Sequence, residues 1–352
     1  MKICIRTDSS NRIGSGHMMR CLTLAKALRQ QGADVHFFCR PHPGHSILLV
    51  EHAGFQVTVL PLHSASNQLS GYQEWLGCTE AEDAIDCLRQ LHAPVDWLIV
   101  DHYGLAANFC HAMRTSCQRI LVIDDLANRH HDCDLLLDQN LVPDYLQRYD
   151  SLLAPKTPRL LGPAYALLRD EFYQNETVKR EPGRLLVFFG GSDPFGLTRK
   201  AIEAIRQLEL TPLHADIVIG QSHPEHDQLQ QLCDSSSRLQ LHVQCSTMAT
   251  LMRQAQLMLG AGGSTHWERC ITALPGLIVT VADNQIATTE YLHTSGACHW
   301  LGAAEQQTIA GFKSALHDWL QQSEQLELMG RRAASLVPLS GGPRAVLKHL
   351  LS

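Results

Sequence analysis

Long apolar runs are missing from this chain. Nowhere in its 352 residues do about 18 consecutive apolar side chains stand together, the length a bilayer-spanning helix needs. Charge of one sign is also scarce. Lys+Arg number 29 against 35 Asp+Glu, a net of −6 with no dense basic run, which argues against a broad electrostatic footprint for nucleic acid. The 12 cysteines, spread from Cys4 to Cys298, include no C-x-x-C pair and sit mostly in apolar contexts, so they read as reduced core thiols and not as a disulfide framework. The 20 histidines include no H-E-x-x-H, and His223-x-x-His226 lacks cysteine support, so a structural zinc is not expected. Arg6 and Asp8 interrupt the opening segment where a signal peptide would carry an unbroken apolar stretch, and the expected location is the cytoplasm. What is present, 45% hydrophobic and 18% charged residues with glycine and proline scattered throughout, is the balance of a packed globular chain of about two domains.

Short β-rich apolar runs alternate with stretches of helical period, the pattern of an α/β protein with parallel sheets. The first half predicts strands at Lys2–Thr7, Val35–Phe38, Val57–Leu60, Trp97–Asp101, Arg119–Ile123 and Leu135–Asp138, with helices beginning at His17, Ser46, Glu80 and Leu105. Between Leu141 and Pro182 five prolines loosen the pattern and mark a connection. Beyond it, Arg184–Phe189, the turn Gly190-Gly191-Ser192-Asp193 and a helix near Leu197 echo the N-terminal strand, glycine loop and helix. Strands at Asp216–Ile219, Leu239–Val243, Leu257–Ala261 and Leu277–Val281 follow, then helices from Glu305 and Glu324. A last helix after Gly341-Gly342-Pro343 is expected to fold back on the first domain.

Ligands of open α/β sheets bind beyond the carboxyl ends of the strands. There the first glycine loop reads Ile13-Gly14-Ser15-Gly16-His17-Met18-Met19-Arg20-Cys21, at a helix start suited to an anion. Met19 occupies the third glycine position of a dinucleotide fingerprint and no Gly-Lys-Ser/Thr follows, so neither NAD nor a P-loop nucleotide is indicated. His17 fits two roles equally, a base that activates water or a cap that donates to a phosphate. Arg20 either holds an anion or faces solvent. Gly262-Gly263-Ser264-Thr265-His266-Trp267-Glu268 is the second such loop. Ser264 and Thr265 suit a diphosphate there, and Glu268 suits the two hydroxyls of a ribose. The competing reading, a capping box, needs a spacing of three where Ser264 and Glu268 stand four apart. Asp283, Asn284 and Gln285 turn after another strand, Asp101-His102-Tyr103 and Asp124-Asp125 end two more, and no Ser-His-Asp arrangement emerges.

Assembled, these motifs resemble a known family. They are Arg6-x-Asp8 with the His17 loop, Asp101-x-Tyr103, Asp124-Asp125-Leu126-Ala127-Asn128-Arg129, Asp138-Gln139-Asn140, Tyr165-Ala166-Leu167-Leu168-Arg169, Phe189-Gly190-Gly191-Ser192-Asp193, Gly262-Gly263-Ser264-Thr265-x-Trp267-Glu268 and Asn284-Gln285. Over nearly the whole chain they are similar to the UDP-2,4-diacetamido-2,4,6-trideoxy-β-L-altropyranose hydrolases of pseudaminic acid biosynthesis. The resemblance implies the GT-B architecture, two Rossmann-like domains with parallel sheets facing a central cleft. The divisions expected are 1–165, carrying the glycine loop and the base, 166–335, binding UDP, and 336–352, a helix packing back. It further implies His17 as catalytic base and Glu268 on the ribose. Gly14, Ser15, Gly16, Arg20, Tyr103, Arg169, Gly263, Ser264, Thr265, Asn284 and Gln285 would contact the UDP-linked 6-deoxy diacetamido sugar. The implied reaction is inverting hydrolysis of the anomeric C–O bond, with no cofactor, metal, nucleic acid, membrane insertion or obligate protein partner. A GT-B glycosyltransferase using a related UDP-sugar is the alternative. The segment beyond Leu301 matches none of these motifs.

Overall fold

The structure, a computed structural model, describes residues 1–63, 69–174, 178–221 and 223–351. Two compact units emerge, Met1–Leu167 with Gly341–Ser352, and Leu168–Ser340. The first boundary falls two residues beyond the expected one, where Leu167 is buried in the first unit's core and its N–H donates to Gln139 Oε1 at 3.1 Å.

The first unit runs β1 (Lys2–Thr7), α1 (Gly16–Gln30), β2 (Asp34–Cys39), α2 (Ile47–His52), β3 (Gln56–Val59), α3 (Gln73–Leu76), α4 (Glu80–Gln90), β4 (Val95–Asp101), α5 (Ala107–Met113), β5 (Cys117–Ile123), β6 (Leu135–Asp138) and β7 (Arg159–Leu161). Its strands form one parallel sheet in the order β3-β2-β1-β4-β5-β6-β7. Runs such as Leu98-Ile99-Val100 and Leu135-Leu136-Leu137 are continuously apolar because helices cover both faces of the sheet. Met18, Cys21, Leu22, Ala25 and Leu28 of α1 recur at helical spacing and bury against one face. A capping box between Thr79 and Glu82 starts α4 on the other side.

The second unit runs β8 (Arg184–Phe188), α6 (Leu197–Arg206), β9 (His214–Ile219), α7 (His226–Asp234), β10 (Leu239–Val243), α8 (Met248–Gln254), β11 (Leu257–Ala261), α9 (Thr265–Ile271), β12 (Gly276–Thr280), α10 (Ile286–Thr294), β13 (His299–Ala303), α11 (Ile309–Leu320) and α12 (Ser323–Ala334). Its parallel sheet has the order β10-β9-β8-β11-β12-β13. Both sheets reverse their winding once, between β1 and β4 and between β8 and β11, so each has a switch point where a crevice opens beyond the strand ends.

Several details differ from the sequence reading. β7 lies inside the proline-rich stretch that read as connection only. β13 was missed because its residues are all half-buried, and its register with β12 shifts near Gly302, which sits at φ +97°. The helix expected from Glu305 begins at Ile309, where the Thr308 hydroxyl accepts from the Gly311 N–H.

The chain ends in α13 (Pro343–Leu350), which packs on α1 and completes the first unit's core with Val346, Leu347 and Leu350. Trp97 Nε1 donates to the Leu350 carbonyl at 3.1 Å. Leu350→Ala is expected to cost about 2–4 kcal/mol through the cavity it leaves. The measurement is the midpoint of urea unfolding, and a change under about 0.5 kcal/mol would mean that α13 is not part of that core.

Candidate active site

At the switch point of the first sheet the chain leaves β1, turns through Gly14 at φ +77° and enters α1. That left-handed turn suits glycine because it has no Cβ. Ser15 stands at the N-cap without a side-chain capping bond, no acidic residue occupies the first turn, and no atom lies within 4 Å of where a Cβ on Gly16 would stand. The start of α1 therefore presents unpaired N–H groups and open space.

His17 is 8% exposed, and its Nδ1 lies 2.6 Å from Oδ1 of Asp101, which ends the neighbouring strand β4. Arg20, one turn along α1, grips the same carboxylate through Nε and Nη2, both at 2.6 Å, and reaches Asp125 at 3.0 Å. Cys21 Sγ donates to Asp101 Oδ2 at 3.3 Å. Burial alone would raise the Asp101 pKa, but Arg20 and His17 overcome it and hold the carboxyl well below its ordinary range. Two groups meet Nδ1, the Asp101 carboxylate at 2.6 Å and Arg20 Nη2 at 3.2 Å; the shorter contact, to an ionised acceptor, favours the imidazole proton on Nδ1 and the lone pair on Nε2. Tyr103 packs edge-on to His17, ring centroids 4.5 Å apart, and bonds to Asp125, and burial pushes its phenol pKa up. His17, Arg20 and Tyr103 thus gather around Asp101. The sequence had offered Asp101 only as part of a polar strand end, and nothing local to it marked it as the partner of His17.

In the second unit, β11 leads through Gly263, φ +83°, into α9. Ser264 makes no side-chain capping bond, so the capping box is absent. Glu268, partly buried in the first turn, lies 3.5 Å from Arg169, whose other terminal nitrogen pairs with Glu171 at 2.9 Å. Burial raises the Glu268 pKa and Arg169 opposes that. Gln285 Oε1 accepts from the Val281 N–H at 3.0 Å, and its amide nitrogen lies 3.4 Å from a Cβ position on Gly263. Thr265 is buried and Asn284 exposed. By contrast, the start of α6 is already filled. Asp193 accepts there from the N–H groups of Leu197 at 3.0 Å and Thr198 at 2.6 Å. At the start of α9, Glu268 stands in the first turn and no side chain caps the N-terminus.

Next to the first site, Tyr149 Oη lies 3.0 Å from Asp124 Oδ2 and 3.1 Å from Asp138 Oδ2. A single phenol proton cannot serve both. Burial pushes the Asp138 pKa up to about 7, against the opposing pull of Arg148. The folded state therefore retains a proton that the unfolded chain releases near pH ~4. Stability is expected to fall by a few kcal/mol as pH rises from about 4 to about 7. Asp138→Asn should remove this fall, read as a flatter plot of unfolding midpoint against pH, and an unchanged slope would refute it.

Among the described residues no group of three or more His, Cys, Asp or Glu is placed to hold a metal ion, and no helix is long and apolar enough to cross a membrane.

Two Rossmann-like units with parallel sheets define an α/β protein of the GT-B type, and solved structures share that fold. MurG of Acinetobacter baumannii aligns over 99% of each chain with a TM-score of 0.67 at 18% identity. The spinosyn rhamnosyltransferase SpnG, complexed with thymidine diphosphate, aligns over 100% of each chain at 0.69 and 17%. No family model matches the chain. By sequence it is similar to the UDP-2,4-diacetamido-2,4,6-trideoxy-beta-L-altropyranose hydrolase of Campylobacter jejuni, 26% identical over 84% of this chain and 97% of that one. It is also similar to the spore coat polysaccharide biosynthesis protein SpsG of Bacillus subtilis, 23% identical over 87% and 85%. An uncharacterised protein of Methanocaldococcus jannaschii is 25% identical over 81% of this chain, and the match spans only 56% of that longer protein. The resemblance read from the motifs is thus supported at the level of relationship, to a UDP-sugar hydrolase in sequence and to glycosyltransferases in fold.

Proposed function

We propose that this protein hydrolyses UDP-2,4-diacetamido-2,4,6-trideoxy-β-L-altropyranose, releasing UDP and the free diacetamido sugar with inversion at the anomeric carbon. The observation that carries this reading is the 2.6 Å contact of the buried Asp101 carboxylate with His17 Nδ1, which favours the tautomer whose Nε2 accepts a proton. Water gives a proton to Nε2 as its oxygen attacks C1 from the face opposite UDP. The C1–O bond breaks, and its electron pair leaves on the diphosphate. Asp101 stabilises the imidazolium that forms. A glycosidase acting on an ordinary glycoside needs a second carboxylic acid to protonate its leaving group. UDP leaves without one, provided its developing charge is met by N–H groups such as those at Gly263, Ser264 and Thr265. Glu268 takes the ribose hydroxyls, with Arg169, Asn284 and Gln285 on the rest of the donor. Gly14, Ser15, Gly16, Arg20 and Tyr103 line the sugar side. The enzyme acts in the cytoplasm on a soluble donor and uses no cofactor or metal.

Incubation of the protein with this UDP-sugar in ¹⁸O-labelled water, without an acceptor, tests the reading. Label in the free sugar and none in UDP is expected. Label in UDP would mean attack at phosphorus. UDP release only when a hydroxyl acceptor is added would establish a glycosyltransferase, the class of the structural neighbours.

A further inference from the structure

Beside the proposed base stand two aromatic side chains, Tyr72 and Trp75, that have no part in the proposed reaction. Tyr72 stands at the N-cap of the short helix α3 and Trp75 within it, and both are half-buried. Their rings lie 4.8 Å apart, nearly perpendicular, and 5.0 and 5.8 Å from the ring of Tyr103, which itself lies 4.5 Å from His17. The four rings form one contiguous aromatic surface, buried at Tyr103 and half-open at Tyr72 and Trp75, that ends at the imidazole.

This surface is held from three sides. Leu76 is fully buried and anchors α3 in the core beneath. Glu74 pairs at 2.7 Å with Arg12, which belongs to the loop between β1 and α1. Gly104, directly after Tyr103, admits α3 at close range. A Cβ there would stand 2.6 Å from the Tyr72 carbonyl oxygen and 3.0 Å from Leu76 Cβ. The backbone of α3 therefore sits against the Tyr103 turn at a distance only glycine allows. Large aromatic side chains gain most when fully buried, so two that stay half-open beside a polar site keep apolar area in reserve for a ligand.

We propose that Tyr72 and Trp75 form a stacking platform that selects the apolar edge of the donor's sugar, the C6 methyl and acetamido methyls of a 6-deoxy, N-acylated hexose. The inference rests on the reading that the sugar is processed at His17, and it adds two specificity residues to that site. The faces of these rings offer a C6 hydroxyl no conventional hydrogen bond and remove its water, because the phenol O–H and the indole N–H lie at the ring edges. The platform therefore discriminates against 6-hydroxy sugars such as that of UDP-N-acetylglucosamine.

The test measures equilibrium affinity in a His17→Gln background, which suppresses turnover. UDP, UDP-2,4-diacetamido-2,4,6-trideoxy-β-L-altropyranose and UDP-N-acetylglucosamine are titrated separately. The deoxy sugar is expected to bind about tenfold more tightly than UDP alone and than the 6-hydroxy sugar. Trp75→Ala or Tyr72→Ala should abolish most of that advantage and leave UDP affinity within about twofold, and Trp75→Phe should restore part of it. An advantage that survives Trp75→Ala, or its absence in the His17→Gln parent, overturns the platform. A loss of UDP affinity beyond about twofold in the alanine variants does the same, because it would indicate a merely structural role. Turnover of the native protein is scored separately. Hydrolysis with an unchanged sugar advantage sinks the platform alone. A sugar advantage lost in the variants, with no hydrolysis by the native chain, sinks the hydrolase reading and leaves the platform standing.

Discussion

Turnover by an Asp101→Asn variant is expected to fall about 10²- to 10⁴-fold, the range of a lost general base, with UDP affinity unchanged. The geometry leaves the amide no good orientation. Asp101 Oδ1 meets both His17 Nδ1 and Arg20 Nη2, while Oδ2 meets Arg20 Nε and Cys21 Sγ. An amide nitrogen at the Oδ2 position points a donor at the donor Nε of Arg20. At the Oδ1 position it donates to His17 Nδ1, which drives the imidazole proton onto Nε2, the atom that must accept one from water. His17→Phe should lose activity to a similar extent, and the double variant should be no worse than either single one, because the two side chains act as one unit. Rates under saturating UDP-sugar, with UDP titration as the folding control, decide the matter. Full activity in Asp101→Asn would show that Asp101 does not set the tautomer.

Asp83→Ala is expected to destabilise the chain by about 3–5 kcal/mol, the cost of stranding a buried charge. Arg6 and Arg40 are both fully buried. Arg6 grips Asp83 through Nε at 2.8 Å and Nη2 at 2.7 Å, and Arg40 Nη2 reaches the same carboxylate at 2.6 Å. Asp8 pairs with Arg6 and Asp86 with Arg40, and the arginines also donate to backbone carbonyls, Arg6 to those of Thr7 and Phe38 and Arg40 to that of Pro61. Burial would raise the Asp83 pKa, but the two guanidinium groups overcome it and lower it. Its contribution is therefore present above the unfolded carboxyl pKa near ~4 and is lost as pH falls through the lower folded value. Urea unfolding at neutral pH should show the full loss, and the gap between native and variant proteins should narrow toward strongly acidic pH. A neutral-pH change below about 1 kcal/mol would mean that Asp8 and Asp86 suffice to compensate both arginines.

Much of the first unit was legible as sequence because its strands are unbroken apolar runs and its helices carry regular stripes. The elements that escaped had no such pattern to read. β7 has three residues, α3 has four, and β13 is half-buried along its whole length. The glycine turns at Gly14 and Gly263 were legible through their neighbours, a strand before and a helix after. The availability of their helix ends was not, since the Asp193 carboxylate that fills the start of α6 looks in sequence like any polar turn residue.

The amino-acid sequence by itself determined the α/β class, the repeated strand, glycine turn and helix, and the placing of His17, Asp101, Glu268 and Asp193 at strand or helix ends. These follow from local periodicity and backbone preference, which act over a few residues. Only the tertiary structure decided which ends meet. His17 and Asp101 are 84 residues apart and become partners because β4 pairs with β1 across the sheet's switch point. Arg6 and Asp83 are 77 apart and meet because α4 covers that same sheet. Periodicity says which face of an element is buried and is silent on its neighbour, so the pairing of charges that holds the site together is settled by the order of the strands.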